Sequence, residues 1–431
     1  MCQHHSEEPG SSSPSGASLA HGESGIPLEP FPWDIGVFDA HCHPTDTMAS
    51  VASIPAMKAR ALTVMSTRSQ DQELVLNMAF QQGVKDRDTT ISPASSEEGR
   101  IVPSFGWHPW FSYQLYDDTT SNSTYGGSPP SKISHYEKIL TPSPSSKDES
   151  FIEGLPDPRP LSNFLAETKS RLEKHPLALI GEIGLDRSFR LPLSWTLDNE
   201  AQRDGGLTPG SREGRRLSQF KVHIAHQVTI LEAQLRLAGQ MGRAVSVHGV
   251  QAPSFLYDTI TKLCKEYQKT MPSKRQQKRI AEGAEDFSSS SEDEDEDEND
   301  AASGTKRRGN KASLGTVGLA PRPYPPRICM HSFGGRSEAI AQYLRPSMLV
   351  KVYFSFSIAI NWESGGGDKA AEAIRVLPDD RILVESDLHV AGEQMDRRLE
   401  EVCRKVCEIK GWDLREGVEQ LGRNWRVFIF G

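Results

Sequence analysis

Residues 36–47 read GVFDAHCHPTDT, an apolar run that ends in Asp39, His41 and His43. Alternate residues of a strand point to one face, so these three side chains gather where a strand ordinarily turns into solvent. That grouping means chemistry only if other strands end in the same way. Seven further β-branched runs follow: RALTVMST, RIVPSFGWHP, LALIGEIGLD, RAVSVHGV, RICMHSFGG, MLVKVYFSFS and RILVESDL. Polar or helical sequence separates them, which predicts parallel βα units. The clearest helix, HIAHQVTILEAQLRLAGQMG, puts Ile230, Ala233, Leu237 and Ala238 on one stripe, with Gly239 and Gly242 near its stop. The fold class expected is α/β, a TIM (β/α)8 barrel. A doubly wound open sheet competes, but eight runs fit a closed barrel better.

The rest of the chain bounds this reading. It has 431 residues, 36% hydrophobic and 25% charged, as in a soluble protein with polar extra segments. No apolar run approaches the roughly 20 residues that span a bilayer, so no membrane partner is expected. Residues 1–30 lack the apolar core of a secretory signal and read as a disordered tail. The six cysteines have no framework spacing, which favours reduced thiols in the cytoplasm, the nucleus or both. Cys403 and Cys407, at helical i, i+4 spacing, fit burial better than metal binding.

The formal charge of −9 includes eleven carboxylates between Glu282 and Asp300, and the remainder sums to +2. KRQQKR and KRRGNK flank that acidic tract, either as a nuclear-import signal or as a solubilising insert. Low-complexity inserts are expected at about 117–160, 199–214 and 268–325, inside a single domain of residues 31–431. Without tail and inserts, on the order of 260 residues remain, near the usual size of such a barrel.

Five of the eight runs end in metal-competent side chains: His41 and His43, Glu182, His248, His331 and Asp387. In a barrel these C-terminal strand ends ring one mouth. Any one of these side chains alone has an ordinary explanation, as a packed histidine, a turn acid or a helix cap. Together they point to one or two divalent ions, with Zn²⁺, Mn²⁺ or Co²⁺ suiting the nitrogen donors and Mg²⁺ preferring more oxygen. Two ions bridged by a carboxylate could hold a phosphoryl group and activate water, with Asp387 holding or accepting its proton.

These residues also carry a resemblance. FDAHCH is similar to the Asp-x-His-x-His opening of the TatD-like metal-dependent hydrolases. IGEIGLD, MHSFGG, LVESDL and GWHP resemble further elements of that family, in the same order. Longer pieces such as GEIGLDRSFRLP look closest to a fungal branch described as interactors of an anaphase-promoting-complex subunit. The resemblance implies a TIM barrel and divalent metal (Mg²⁺, Mn²⁺ or Zn²⁺). It also implies hydrolysis of DNA phosphodiesters and, for the branch, a cell-cycle protein partner. It assigns ligand roles to His41, His43, Glu182 (bridging), His248, His331 and Asp387, with Asp387 and Glu182 catalytic. His108 and Asp186 match substrate-lining positions, although a loop-anchoring His-Pro and a turn acid describe them equally well. Asp39 is expected to orient a ligand histidine from behind.

Three departures bear on activity. Val250 stands where the family usually has an arginine, His389 where it has proline, and Trp110 where a second histidine is common. Valine cannot offer the planar fork that grips a phosphate oxygen. Arg187 and Arg190 are either partial substitutes or exposed loop charges. Amide-ring hydrolases of the same superfamily bridge their ions through a strand-4 lysine, so Glu182 favours the phosphodiesterase side. Two functions therefore compete: a metal-dependent phosphodiesterase, and a catalytically weak barrel that binds a cell-cycle complex.

Overall fold

The computed structural model describes residues 29–90, 99–119, 129–195, 200–270 and 322–431. The expected N-terminal tail up to residue 28, and the acidic tract with its basic flanks, lie outside the described residues. Eight barrel strands form: β1 Phe38–Cys42, β2 Ala61–Met65, β3 Ile101–Ser104 and β4 Ile180–Asp186, then β5 Val245–Val250, β6 Arg327–Met330, β7 Lys351–Phe356 and β8 Ile382–Val384. Neighbours pair in parallel and in chain order, β1 to β3 in one arc and β4 to β8 in another.

Backbone hydrogen bonds join the arcs at both seams. Phe105 N–H donates to Leu179 O at 3.1 Å, and Asp387 N–H donates to His41 O at 3.0 Å. His43 N–H donates to Leu388 O at 2.9 Å beside the second seam. An open doubly wound sheet would leave both edges unpaired; here the strand ends meet in a ring, so this is a TIM-type barrel.

Helices α1 Ser69–Gln82, α2 Lys132–Ile139, α3 Glu149–Glu153, α4 Leu161–Lys174, α5 Ile224–Met241 and α6 Pro253–Thr270 lie in the first two thirds of the chain. Helices α7 Ser337–Tyr343, α8 Gly367–Val376, α9 Glu393–Lys410 and α10 Leu414–Phe430 follow. Gly242 ends α5 in the left-handed conformation, φ 64°, a C-cap that glycine adopts without steric cost. Gly239 serves otherwise: a Cβ there would lie 2.3 Å from Arg322 O, so it permits a close chain approach. Trp425 of α10 stacks on Phe38 (4.5 Å, 18°) and donates to Thr63 Oγ1. With Phe428 it packs against Ala61, Leu179 and Leu383 near the strand starts, leaving the opposite mouth for chemistry. Cys403 and Cys407 are buried in α9.

Two expected low-complexity inserts need correction. Within 117–160, residues 129–160 carry α2 and α3, and Tyr136, Ile139, Leu140, Ile152 and Leu155 join a second buried cluster with Trp107, Phe111 and Phe220. Serine- and proline-rich composition masked a few well-spaced apolar residues that become cohesive only against the barrel. Within 199–214, Thr208 N–H donates to Asp46 O at 2.9 Å, and buried Glu213 accepts from Gly210 N–H at 2.7 Å and pairs with Arg203. This loop is therefore docked on the mouth rim. At the third insert, α6 extends to Thr270 and Tyr324 is buried, while residues 271–321 lie outside the described residues.

Candidate metal centre

The strand ends bring His41, His43, Glu182, His248, His331 and Asp387 to one buried point, together with His108 from the loop after β3. Glu182 lies at its middle. Its Oε2 is 3.5 Å from both His41 Nε2 and His43 Nε2, while its Oε1 is 2.8 Å from His331 Nε2 and 2.9 Å from His248 Nδ1. Asp387 Oδ1 stands 3.5 Å from His43 Nε2 and 3.8 Å from His41 Nε2. Three donor groups result, each with atoms within 4.8 Å of one another: His41/His43/Asp387, His41/Glu182/His331 and His108/Glu182/His248.

The donor chemistry fits divalent cations. His41 Nε2 faces His43 Nε2 at 3.1 Å, and His248 Nδ1 faces His331 Nε2 at 3.2 Å. Two neutral imidazole lone pairs repel at that distance unless a proton or a metal lies between them. His331 Nδ1 and Glu385 Oε2 are buried without a hydrogen-bond partner, an arrangement that invites a nearby positive charge.

Neighbouring side chains aim these donors. Ser246 Oγ lies 2.8 Å from His41 Nδ1; with the proton on Nδ1, the Nε2 lone pair faces the centre. Asp186 Oδ2, 3.3 Å from His248 Nε2, leaves His248 Nδ1 free to point inward. Glu385, fully buried, accepts from Ser332 N–H at 2.7 Å and stands 3.5 Å from His331 Nδ1. Asp387 adopts φ 56°, a left-handed conformation that aspartate tolerates better than most residues. Its N–H bond to His41 O holds it there.

The expected role of Asp39 changes, and of the two readings of Asp186 the turn acid is the one its contacts match. Asp39 does not orient the imidazole of His41: its Oδ1 accepts the backbone N–H groups of His41 and Ser386, both at 3.0 Å, and so ties β1 to the loop after β8. Asp186 does not present a free carboxylate to the pocket. Its Oδ1 accepts from Ser188 N–H (2.7 Å) and Phe189 N–H (2.9 Å), and its Oδ2 from Trp110 Nε1–H (2.6 Å). The turn after β4 curls its own donors back onto the acid, which leaves only His248 to orient.

His108 reaches Glu182 Oε1 at 3.2 Å, while its Nδ1 accepts Trp110 N–H at 3.2 Å. Its proton therefore resides on Nε2 and is donated to the carboxylate, so His108 lines the pocket as a donor. Burial lowers its pKa to about 4, which Glu182 only partly opposes, so the ring is neutral at pH 7. The sequence reading missed Ser246 and Glu385. Each lies two residues before a strand-end donor, so the period-2 rule that found His248 and Asp387 could have found them too.

A family model described as TatD related DNase matches residues 38–429. This chain belongs to that family. It is 34% identical to the Cut9-interacting protein scn1 of Schizosaccharomyces pombe over 395 residues, 91% of this chain and 98% of that protein. An uncharacterized deoxyribonuclease of Saccharomyces cerevisiae is 24% identical over 69% of each chain. Among solved structures, a TatD homologue from Escherichia coli matches with TM-score 0.44 and 14% identity, covering 90% of this chain and 95% of that one. An uncharacterized amidohydrolase from Saccharomyces cerevisiae matches with TM-score 0.47 and 12% identity, covering 90% and 98%.

In this TatD family member, acidic neighbours favour the protonated forms of two of the imidazoles, His43 and His331. Burial disfavours a charged His43, but the Asp387 hydrogen bond and the Glu182 charge outweigh it and raise its pKa to about 9. His331 is raised likewise: burial opposes the charge, and Glu182 and Glu385 prevail. An imidazolium cannot ligate, so metal binding at pH 7 must expel protons. Affinity for Mn²⁺ or Zn²⁺ should therefore strengthen as pH rises from 7 towards 9, by about tenfold per unit for each proton released. Titration calorimetry in two buffers of different ionisation heat reads that release directly; equal heats in both would contradict it.

Proposed function

We propose that this chain is a metal-dependent phosphodiesterase acting on DNA. The observation that carries the reading is the placement of Glu182, whose two oxygens are divided between the His41/His43 pair and the His248/His331 pair. Divalent ions held there would supply Lewis-acid polarisation of a phosphoryl oxygen and a water of lowered pKa. The chain's own residues do the rest. His41, His43 and Asp387 would hold one ion, and His248 and His331 the other, with Glu182 common to both. Asp387, at the mouth, can accept the proton of the attacking water, and His108, whose Nε2–H is donated to Glu182 Oε1, holds that carboxylate in place. Among the described residues, Cys42, Cys264, Cys329, Cys403 and Cys407 are buried outside any disulfide, which supports a cytoplasmic or nuclear setting.

Purified protein should contain divalent metal by elemental analysis and should cleave a labelled oligonucleotide with Mg²⁺, Mn²⁺ or Zn²⁺. A His41→Ala/Asp387→Ala variant should lose that turnover. Cleavage that survives the double substitution would trace to a contaminant and remove the support for this reading.

Val250 and the likeness to a Cut9-interacting protein favour a second reading, in which the barrel keeps its ions but serves to bind a cell-cycle protein. Bound metal with no turnover on any nucleic acid would favour it.

A further inference from the structure

The rim loop over residues 200–214 concentrates its contacts in one place. Its hydrogen bonds to the rest of the barrel run, among the described residues, to Thr45, Asp46 and Arg68. Thr208 N–H donates to Asp46 O at 2.9 Å and Thr208 Oγ1–H donates to Thr45 O, while Arg68 reaches the Thr208 and Pro209 carbonyls. Thr45 and Asp46 belong to the short turn Pro44–Asp46, which starts at His43. Thr208 is buried, and the ion pair of buried Glu213 with Arg203 braces the loop from inside, so it docks as a unit.

Asp46 is the hub of that turn. Its N–H donates to His43 O at 2.9 Å, and its C=O accepts from Thr208. Its Oδ1 accepts from Arg68 at 2.8 Å, and its Oδ2 lies 2.8 Å from His389 Nδ1. The His389 ring stacks on the His43 ring with centroids 5.4 Å apart. Every polar group of Asp46 is thus engaged, three residues from a side chain that must be held to about 0.5 Å to ligate beside His41. A loop that only sealed the rim would have no need to satisfy both free carbonyls of a turn that carries a candidate ligand.

We propose that Thr208 is a positioning residue for metal binding. By capping the Thr45 and Asp46 carbonyls it holds the turn that aims His43, so loop docking and metal occupancy strengthen each other. The coupling is reciprocal: if the docked loop tightens metal binding, bound metal tightens loop docking by the same factor, commonly about 5–150-fold. This rests on metal binding at the centre and is independent of what the centre cleaves.

The test uses the full-length protein with Mn²⁺ as the probe. Calorimetry reads the affinity, and limited trypsin digestion with mass analysis reads the rate of cutting after Arg203 and Arg212 within the loop. Cuts elsewhere in the chain are the internal reference. Mn²⁺ should slow cutting within the loop by about fivefold or more against that reference. Thr208→Val keeps the shape and loses the hydroxyl; it should weaken Mn²⁺ binding by a similar factor and quicken cutting in the loop. Thr208→Ser keeps the hydroxyl and should retain the wild-type values. Mn²⁺ bound by the wild type without protection of the loop overturns the coupling and leaves the metal centre standing. No Mn²⁺ binding overturns both. A Thr208→Val protein that is cut faster yet binds Mn²⁺ as tightly as the wild type makes the contact purely structural and overturns the assignment. Should that variant fail to fold, the wild-type comparison decides alone.

Discussion

Replacing Glu182 with glutamine is expected to empty the metal centre and to lower turnover by on the order of 10³-fold, the scale on which removal of one preorganised electrostatic contact acts. Glutamine matches glutamate in shape, so the barrel should keep its circular dichroism spectrum. It supplies only one oxygen, and its NH₂ would face an imidazole nitrogen that now faces carboxylate. Glu182 is 4% exposed, and no water can readily take its place. Its carboxylate is held ionised well below the usual range: burial pulls the pKa up, but the neighbouring His108, His331 and His41 rings overcome that. Loss of that charge also removes the anion that balances the positive charge gathered there. Metal affinity should fall by more than the ~10–100-fold typical when only an outer partner of a ligand is lost. Elemental analysis and steady-state oligonucleotide cleavage read both effects. A variant with full metal content and wild-type turnover would detach Glu182 from the chemistry.

The largest effect on stability is expected at Arg68, which no motif singles out. Its side chain is 1% exposed and forms ion pairs with Asp71 at 3.1 Å and Asp46 at 2.8 Å. It also donates to Thr208 O and Pro209 O of the rim loop, both at 3.2 Å. Burial works against its charge, yet Asp46 and Asp71 more than compensate, and its pKa rises. Arg68→Met leaves the buried Asp71 carboxylate and the half-buried Asp46 carboxylate without this cation, at a cost of about 3–5 kcal/mol. It should also release the loop over residues 200–214. The urea midpoint should drop accordingly, and limited proteolysis should cut within that loop. Arg68→Lys should recover only part of the loss, because an ammonium cannot serve Asp46, Asp71 and the two carbonyls as a planar fork does. An unchanged midpoint for the methionine variant would show that the network contributes little.

Much of the centre was legible because it sits on strand ends, where period-2 spacing and position relative to an apolar run are local properties. His41, His43, Glu182, His248, His331 and Asp387 could each be read from about ten residues of context. The partnerships behind them could not. Ser246 meets His41 across 205 positions, and the Ser386 N–H meets Asp39 across 347. For Asp186 the local sequence left a substrate-facing acid and a turn acid equally open; the turn 186–189 takes its Oδ1, and Trp110 and His248 meet its Oδ2. Residues 129–160 were misread for a related reason. Their apolar content is too sparse to form helices alone, and it becomes cohesive only against Trp107, Phe111 and Phe220.

The sequence by itself determined the eight strands, their parallel order and the donor atoms at their ends, because backbone geometry and side-chain chemistry act over a few residues. Only the tertiary structure decided which donor faces which, what holds each imidazole at its angle, and that Arg68 and the loop over residues 200–214 belong to the same mouth. Ring closure brings together atoms hundreds of residues apart, and a distance of 3 Å between them is fixed by the packing of the whole barrel rather than by any single stretch of chain.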